Sequence, residues 1–310
     1  MARIALSRTR FVISLNLMVI SVMRRGILIA GGTGSRLGPL TQVSNKHFLP
    51  VFDKPMIFYS LSLLMLAKVN EIAVVCRGED LSNFQNLLGD GGDLGMRINY
   101  HVQDENLGIP DAILKAKDAR CDSRMVVLGD TFLSGGFLMQ ILQNRASKYG
   151  RASIFSQPVR DPHRFGVAQF SPVDGQFKNV IEKPKATDSN SAVIGVYMFP
   201  EDIFDRCALA KVSDRGETEI SDVINSYAFD GLVDHQGFGR GYAWRDMGTC
   251  DALFDASMWV KTSQEMQSLP LALLPEISFN NGWIGGSDVY SLSEDPRFNS
   301  HAAYLRQIIT

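Results

Sequence analysis

Between residues 26 and 130, short apolar runs alternate with longer stretches whose apolar residues recur every three or four positions. The runs GILIA (26–30), EIAVVC (71–76), RINYHV (97–102) and MVVLGD (125–130) predict strands, because brief apolar segments bounded by polar residues suit a pleated surface covered on one or both faces. Three stretches between them predict helices. PMIFYSLSLLMLAKV carries Pro55 in its first turn, DLSNFQNLLGDGG is stopped by glycines, and IPDAILKAKDAR has an apolar stripe with Pro110 near its start. Strands alternating with helices in this way predict a parallel sheet with crossover helices. The last of the four strands runs out at Asp130, and the carboxyl ends of strands are where open α/β sheets present groups to ligands.

After about residue 150 the pattern changes. ASIFSQPV, FGVAQF, FKNVIEKP and SAVIGVYMF read as strands, with a turn at Asp174-Gly175, and predict a second lobe covering the sheet edge. GETEISDVINSYAFDG reads as a helix, GYAWRDMGT as a strand and loop carrying Asp246, and DALFDASMWVKTSQEM as another helix; from about Leu269 the tail is helical and polar in patches. There is no internal repeat or low-complexity run.

Composition narrows the classes. A chain of 310 residues, 45% hydrophobic and 21% charged, has material for a real core and excludes general disorder. A net charge of −2 without a basic patch argues against a nucleic acid partner and for a small ligand. Cys76, Cys121, Cys207 and Cys250 are widely spaced; they form neither a zinc spacing nor a disulfide framework and are expected to be reduced, mostly buried thiols of a cytoplasmic protein. At the N-terminus, Arg8, Arg10 and FVISLNLMVISVM resemble the charged and apolar parts of a signal peptide. The apolar run is too short to span a bilayer, contains Asn16 and leads through Met23-Arg24-Arg25 into the first strand with no small-residue cleavage site. Residues 1–22 are therefore expected to be an extension outside the fold, with Met23 as the start, and no membrane partner is expected.

The first strand feeds AGGTGSRLGPLT (30–41). A strand entering a glycine-rich turn brings backbone amides close to an anion. The turn is not the dinucleotide fingerprint, because Leu37 stands where a glycine is required, and it lacks the lysine of the other common phosphate loop, offering Arg36 instead. A guanidinium adds planar donors suited to a polyphosphate, although an exposed turn arginine fits the same spacing. Lys46, in SNKHFLPVFDKPM, says little by itself. Asp130 and Asp246, two acids from distant parts of the chain, suit a divalent ion that takes one or two carboxylates plus phosphate oxygens, and equally suit helix caps or turns.

The ordered set GGTGSRLGPLT, K-H-FLPVFDKPMI-Y, LGDGGDLG, LGD, RFGV, EKP, IGVY, RGETEISD and GYAWRDMGT resembles the short-form glucose-1-phosphate thymidylyltransferases, within the sugar nucleotidyltransferases, from about Arg25 to about Lys261. The resemblance implies an α/β, Rossmann-like nucleotidyltransferase fold, with a mixed, mostly parallel sheet flanked by helices, a smaller sugar-binding β lobe and C-terminal helices. It implies a nucleotidyltransferase domain over 23–262, its nucleotide-binding part about 23–150 and its sugar-binding part about 151–250, followed by a helical segment over 263–310. The implied reaction joins a nucleoside triphosphate and a sugar 1-phosphate to give a nucleoside diphosphate sugar and pyrophosphate. By the same resemblance Arg36 and Lys46 are catalytic, Asp130 and Asp246 hold Mg2+, and Gly31, Gly32, Gly34, Ser35, Gln103 and Gly108 meet the nucleotide. Gly166, Glu182, Lys183, Val193 and Arg215 fall at hexose-phosphate positions, and a homo-oligomer, tetramer or dimer, is implied, with the C-terminal helices at an interface.

Four positions depart from the pattern. Thr131 stands where the family commonly has asparagine, His47 and Asp111 where it commonly has glutamine, and Phe165 where it often has tyrosine. Exchanging an amide for the carboxylate of Asp111 alters the donor and acceptor pattern offered to base or sugar, and a buried unmatched group costs about 1–3 kcal/mol. The first substrates expected are dTTP and glucose 1-phosphate; uridylyl or cytidylyl transfer, and a non-catalytic regulator on the same fold, are the alternatives. A dehydrogenase is a third. His101, His163, His235 and His301 are isolated and read as structural or surface residues.

Overall fold

The protein is described from a computed structural model covering residues 24–118, 121–146 and 150–310. The expected N-terminal extension, residues 1–22, and Met23 lie outside the described residues. The first half contains β1 (Arg24–Ile29), β2 (Pro50–Val51), β3 (Lys54–Pro55), α1 (Met56–Leu66), β4 (Glu71–Cys76), α2 (Leu81–Leu88), β5 (Arg97–Val102), α3 (Ile109–Lys115), β6 (Ser123–Leu128), β7 (Thr131–Gly135) and α4 (Leu138–Ala146). The second half adds β8 (Ala152–Pro158), β9 (Gly166–Phe170), β10 (Phe177–Glu182), β11 (Ser191–Pro200), α5 (Ile203–Ala208), α6 (Ile220–Phe229), β12 (Val233–Gly237) and β13 (Tyr242–Asp246). Four helices follow: α7 (Cys250–Gln267), α8 (Leu274–Asn280), α9 (Gly286–Leu292) and α10 (Ala302–Gln307).

The four strands read from the apolar runs form a parallel block in the order β6-β1-β4-β5. Parallel strands need long crossovers, which α1, α2 and α3 supply. The strands after residue 150 join the same sheet. β11 lies antiparallel to β6 and carries β8 and β9, with β10 beyond β9 and β12 parallel to β8. The β-rich half is thus continuous with the parallel half through one ten-residue strand.

Apolar side chains fill both faces of the sheet. Helix α1 is buried from Met56 to Met65 on every side, the arrangement expected of a helix apolar all round. It packs between the sheet and the C-terminal helices, where the rings of Phe58 and Phe298 lie 5.8 Å apart. Ser278 Oγ donates to the Leu94 carbonyl at 2.9 Å and Asn281 Nδ2 to that of Met65 at 2.8 Å, so the tail belongs to the main core. The opposite face is covered by α3, α5 and α6 through residues such as Ile113, Phe204 and Ile224.

Strand β7 has no counterpart in the sequence reading. It pairs antiparallel with β13, placing Asp246 opposite Thr131 and so beside Asp130. A third apolar cluster, including Tyr59, Phe132, Met247 and Val260, holds this ribbon against α1 and α7. Helix α7 starts on Thr249, whose Oγ1 accepts the Ala252 N–H at 3.3 Å, and runs past residue 262 to Gln267.

Candidate active site

The chain leaves β1 through Ala30 and the glycine turn. Gly34 has φ 68°, and a side chain there would lie 2.9 Å from Thr41 Cγ2 and 3.1 Å from Lys46 Cβ. Glycine accepts that backbone conformation and the close approach. Thr41 Oγ1 donates to the Gly34 carbonyl at 3.0 Å and fixes the turn. Lys46 begins a short 3-10 turn in which Asn45 Oδ1 accepts the His47 N–H at 2.9 Å. Only 8% of Lys46 is exposed, and its ammonium donates to the carboxylate of Asp130. His47 is fully enclosed; burial, reinforced by the Lys46 charge, lowers its pKa to about 3. Its ring is therefore neutral at physiological pH.

Asp130 lies two residues beyond β6 and Asp246 ends β13, and the Met247 N–H donates to the Asp130 carbonyl at 2.9 Å. The two acids respond in opposite ways. Burial alone would raise the pKa of Asp130, but the Lys46 ammonium outweighs it and brings the group down to about 2. Asp246 moves upward, first through burial and then through the neighbouring Asp130 charge, with Arg36 and Lys46 opposing. Arg36 Nη2 donates to Asp246 Oδ2 at 3.5 Å and is 55% exposed on its side chain. Two carboxylates that resist joint ionisation form a natural seat for a cation.

A cleft of about 210 Å³ opens above these groups. Its lining includes Gly31, Gly32, Lys46 and Asp130, together with Gln103, Gly108, Glu182, Lys183 and Arg215. Gly108 has φ 99°, and a side chain there would lie 2.0 Å from the Thr218 carbonyl oxygen. The loops at 105–108 and 213–219 close on each other at this point, through Thr218 N–H to the Leu107 carbonyl at 2.8 Å and Asn106 Nδ2 to Glu217 Oε1 at 3.0 Å. Arg215 faces Glu182, Glu217 and Glu219 at 3.5, 3.5 and 3.1 Å. Burial, then the charge of Glu219, raises the pKa of Glu182.

The sequence-selected residues gather here, with a few exceptions. Arg36 and Asp246 adjoin the cleft through Asp130, and Gly166 adjoins it through Glu182, whose Oε2 would lie 3.1 Å from a side chain at that glycine. Gly34 and Ser35 shape the turn without lining the cleft, and Val193 is buried on β11 opposite Ser156 of β8. Sequence reasoning missed Asn106, Glu217, Thr218 and Glu219, which line the cleft. The last three sit in the RGETEISD motif, of which only Arg215 was singled out.

Comparison with known proteins decides what this arrangement belongs to. Residues 25–263 match the nucleotidyl transferase family. The chain is 39% identical to a glucose-1-phosphate thymidylyltransferase of Neisseria gonorrhoeae over 92% of its own length and 99% of the relative's. It is 36% identical to one of Mycobacterium tuberculosis, over 92% of this chain and 99% of that protein. The chain belongs to the nucleotidyl transferase family. Its structure also superposes on a Bacillus anthracis protein assigned as a glucose-1-phosphate thymidylyltransferase and solved with sucrose, with TM-score 0.69 and 34% identity over 76% of this chain and 94% of that one. A UDP-glucose pyrophosphorylase bound to UDP-glucose shares the fold at TM-score 0.67 and 24% identity, covering 78% of this chain and 99% of that one.

For a nucleotidyl transferase, the departures from the family pattern have definite places. Thr131 is core: Ser60 Oγ donates to its carbonyl at 3.0 Å, and its own hydroxyl lies against Gly195. The His47 ring packs under Gly129 at the end of β6. Phe165 stacks edge-on to Trp244 at 5.2 Å, away from the cleft lining. Asp111 lies behind Gln103, outside the cleft. Three of the other histidines make structural contacts: His235 bonds Ser156 Oγ at 2.7 Å, His163 the Pro184 carbonyl at 2.7 Å, and His301 faces Asp53 at 3.0 Å. Cys76, Cys121 and Cys207 are buried thiols, whereas Cys250 is exposed. Among the described residues no helix is long and apolar enough to cross a membrane.

The enzyme's two acids also fit a divalent cation. Among the described residues no third histidine, cysteine or carboxylate joins Asp130 and Asp246 in a cluster. That donor set suits Mg2+, which keeps several waters and shares its sphere with substrate phosphates instead of sitting in an all-protein cage.

Proposed function

We propose that this enzyme transfers a thymidylyl group from dTTP to glucose 1-phosphate, giving dTDP-glucose and pyrophosphate. The observation that carries the reading is the meeting of Lys46 and Asp130 in the cleft, with Asp246 beside Asp130 and Arg36 on Asp246. A phosphate oxygen of the sugar substrate attacks the α-phosphorus of dTTP in line. The new P–O bond forms as the bond to the β-phosphate breaks, and pyrophosphate leaves with that electron pair. Two polyanions must be held together for this, so catalysis is mostly positioning and charge neutralisation.

In this reading the buried ammonium of Lys46 lies against the reacting phosphates and offsets charge as it builds on the α-phosphate. Arg36, more exposed, holds the triphosphate and the departing pyrophosphate. Amides of the glycine turn, at Gly31, Gly32, Gly34 and Ser35, track the nucleotide, and Gln103 and Gly108 meet the base edge. Glu182, Lys183 and Arg215, with Gly166 and Val193 shaping the wall, take the hexose phosphate. Asp130 and Asp246 hold Mg2+, which when bound neutralises phosphate oxygens and lowers the repulsion between the two substrates. Lys183, with φ 39°, is held in a left-handed conformation at the end of β10, consistent with a side chain aimed by function at a local cost.

A matrix of nucleoside triphosphates against hexose 1-phosphates, scored by pyrophosphate release, tests the proposal. Turnover highest with dTTP and glucose 1-phosphate, lost with a chelator and restored by Mg2+, is the expected result. No release with any pair would overturn the enzyme reading in favour of a binding protein on the same fold.

A further inference from the structure

Gln103, the residue after β5, is 6% exposed and lines the cleft. Its Nε2 donates two hydrogen bonds, to the Gly108 carbonyl at 3.1 Å and to Asp111 Oδ2 at 2.8 Å. Both amide hydrogens are thereby used on acceptors that cannot donate in return. The remaining atom, Oε1, receives no hydrogen bond from any described residue and lies beside Gly31 of the cleft lining, where a side chain would come within 3.4 Å of it. Turning the amide over would set its oxygen against a carbonyl and a carboxylate. Asp111 therefore does more than fill space: it makes one of the two amide orientations strongly preferred.

We propose that Asp111 is a positioning residue that locks the Gln103 carbonyl toward the cleft, so that the pocket takes a pyrimidine bearing an imide N–H and rejects one presenting a ring-nitrogen acceptor. The inference rests on the reading of Gln103 as the group that meets the base. Thymine and uracil both carry that N–H, whereas cytosine carries a lone pair at the same ring position. With the amide locked, cytosine would oppose acceptor to acceptor; with the lock released, Gln103 could turn and donate to it. Asp111 does not line the cleft, so it acts through Gln103 alone.

The test measures kcat and KM for dTTP, dUTP and dCTP with the wild-type chain, Asp111→Ala, Asp111→Asn and Gln103→Leu. Asp111→Ala is expected to lower the dTTP-to-dCTP ratio of kcat/KM by about five- to tenfold, the worth of one hydrogen bond. The change should fall mainly in KM, as expected for lost binding, and the dTTP-to-dUTP ratio should stay where it was. Asp111→Asn keeps an acceptor oxygen and should restore most of the discrimination. An Asp111→Ala enzyme that slows alike with all three nucleotides, at an unchanged dTTP-to-dCTP ratio, would overturn the lock while leaving the base site in place. If Gln103→Leu also leaves the KM for dTTP unchanged, the assignment of Gln103 to the base fails and takes the lock with it.

Discussion

Lys46 and Arg36 are both cations beside carboxylates, yet their surroundings separate them. Lys46 is enclosed and paired with Asp130, where the local dielectric is low and a fixed charge acts strongly. Lys46→Ala is expected to lower kcat by about 10²–10³-fold, the usual effect of removing one preorganised donor to a developing charge, measured as pyrophosphate released at saturating substrates. Arg36 is mostly solvated, so Arg36→Ala should cost under about 1 kcal/mol of stability while still slowing turnover; an unchanged kcat would remove Arg36 from the mechanism. His47 gives a pH prediction. Its folded pKa of about 3 lies below the unfolded value of 6.5, so the unfolded chain binds the extra proton and stability is lost as pH falls from about 6.5 toward 3. His47→Gln should therefore show a smaller drop in Tm between pH 7.5 and pH 5 than the parent chain, read by thermal melting.

At the scale of elements, the four apolar runs of the first half became strands β1, β4, β5 and β6 because their alternation with helices leaves few ways to bury both faces. Strand β7 was not legible. TFLSG is short, contains polar Thr131 and Ser134, and is extended because β13 supplies its partner, a pairing that depends on a segment about a hundred residues away. The C-terminal helices were legible as helices but not as core. Their docking depends on α1, whose predominantly apolar surface needs cover on the side away from the sheet. Phe58→Ala at the α1 to Phe298 contact is expected to cost about 3–5 kcal/mol, seen as a lower denaturant midpoint. Near-native stability would mean that the tail does not depend on this contact.

At the scale of the molecule, the enzyme brings together charges that oppose its folding. Asp246 is raised above its usual range by burial and by the charge of Asp130. As pH rises through the interval between the ordinary and the raised value, the unfolded chain releases a proton that the folded chain retains, so stability declines and the cost is fully present at neutral pH. Asp246→Asn is thus expected to raise Tm at pH 7 by roughly 2 °C, about 1 kcal/mol for a chain of this size, and to abolish most turnover. A lower Tm would mean that the Arg36 pair outweighs the repulsion. Such a gain in stability at the expense of activity is common where a site concentrates like charges.

The sequence by itself determined the alternation of strands and helices, the glycine turn after the first strand and the residue types of the cleft, because periodicity and turn chemistry are local properties of the chain. Nine motifs in order also identified the family before any coordinate was needed. Only the tertiary structure decided which groups meet. The register of β13 on β7 sets Asp246 beside Asp130, the closure of the 105–108 loop on Thr218 sets Gly108 against the 213–219 loop, and the path of the chain from β5 into α3 puts Asp111 behind Gln103. Those distances join positions far apart in sequence or on separate elements, and they are fixed by packing, which no local pattern encodes.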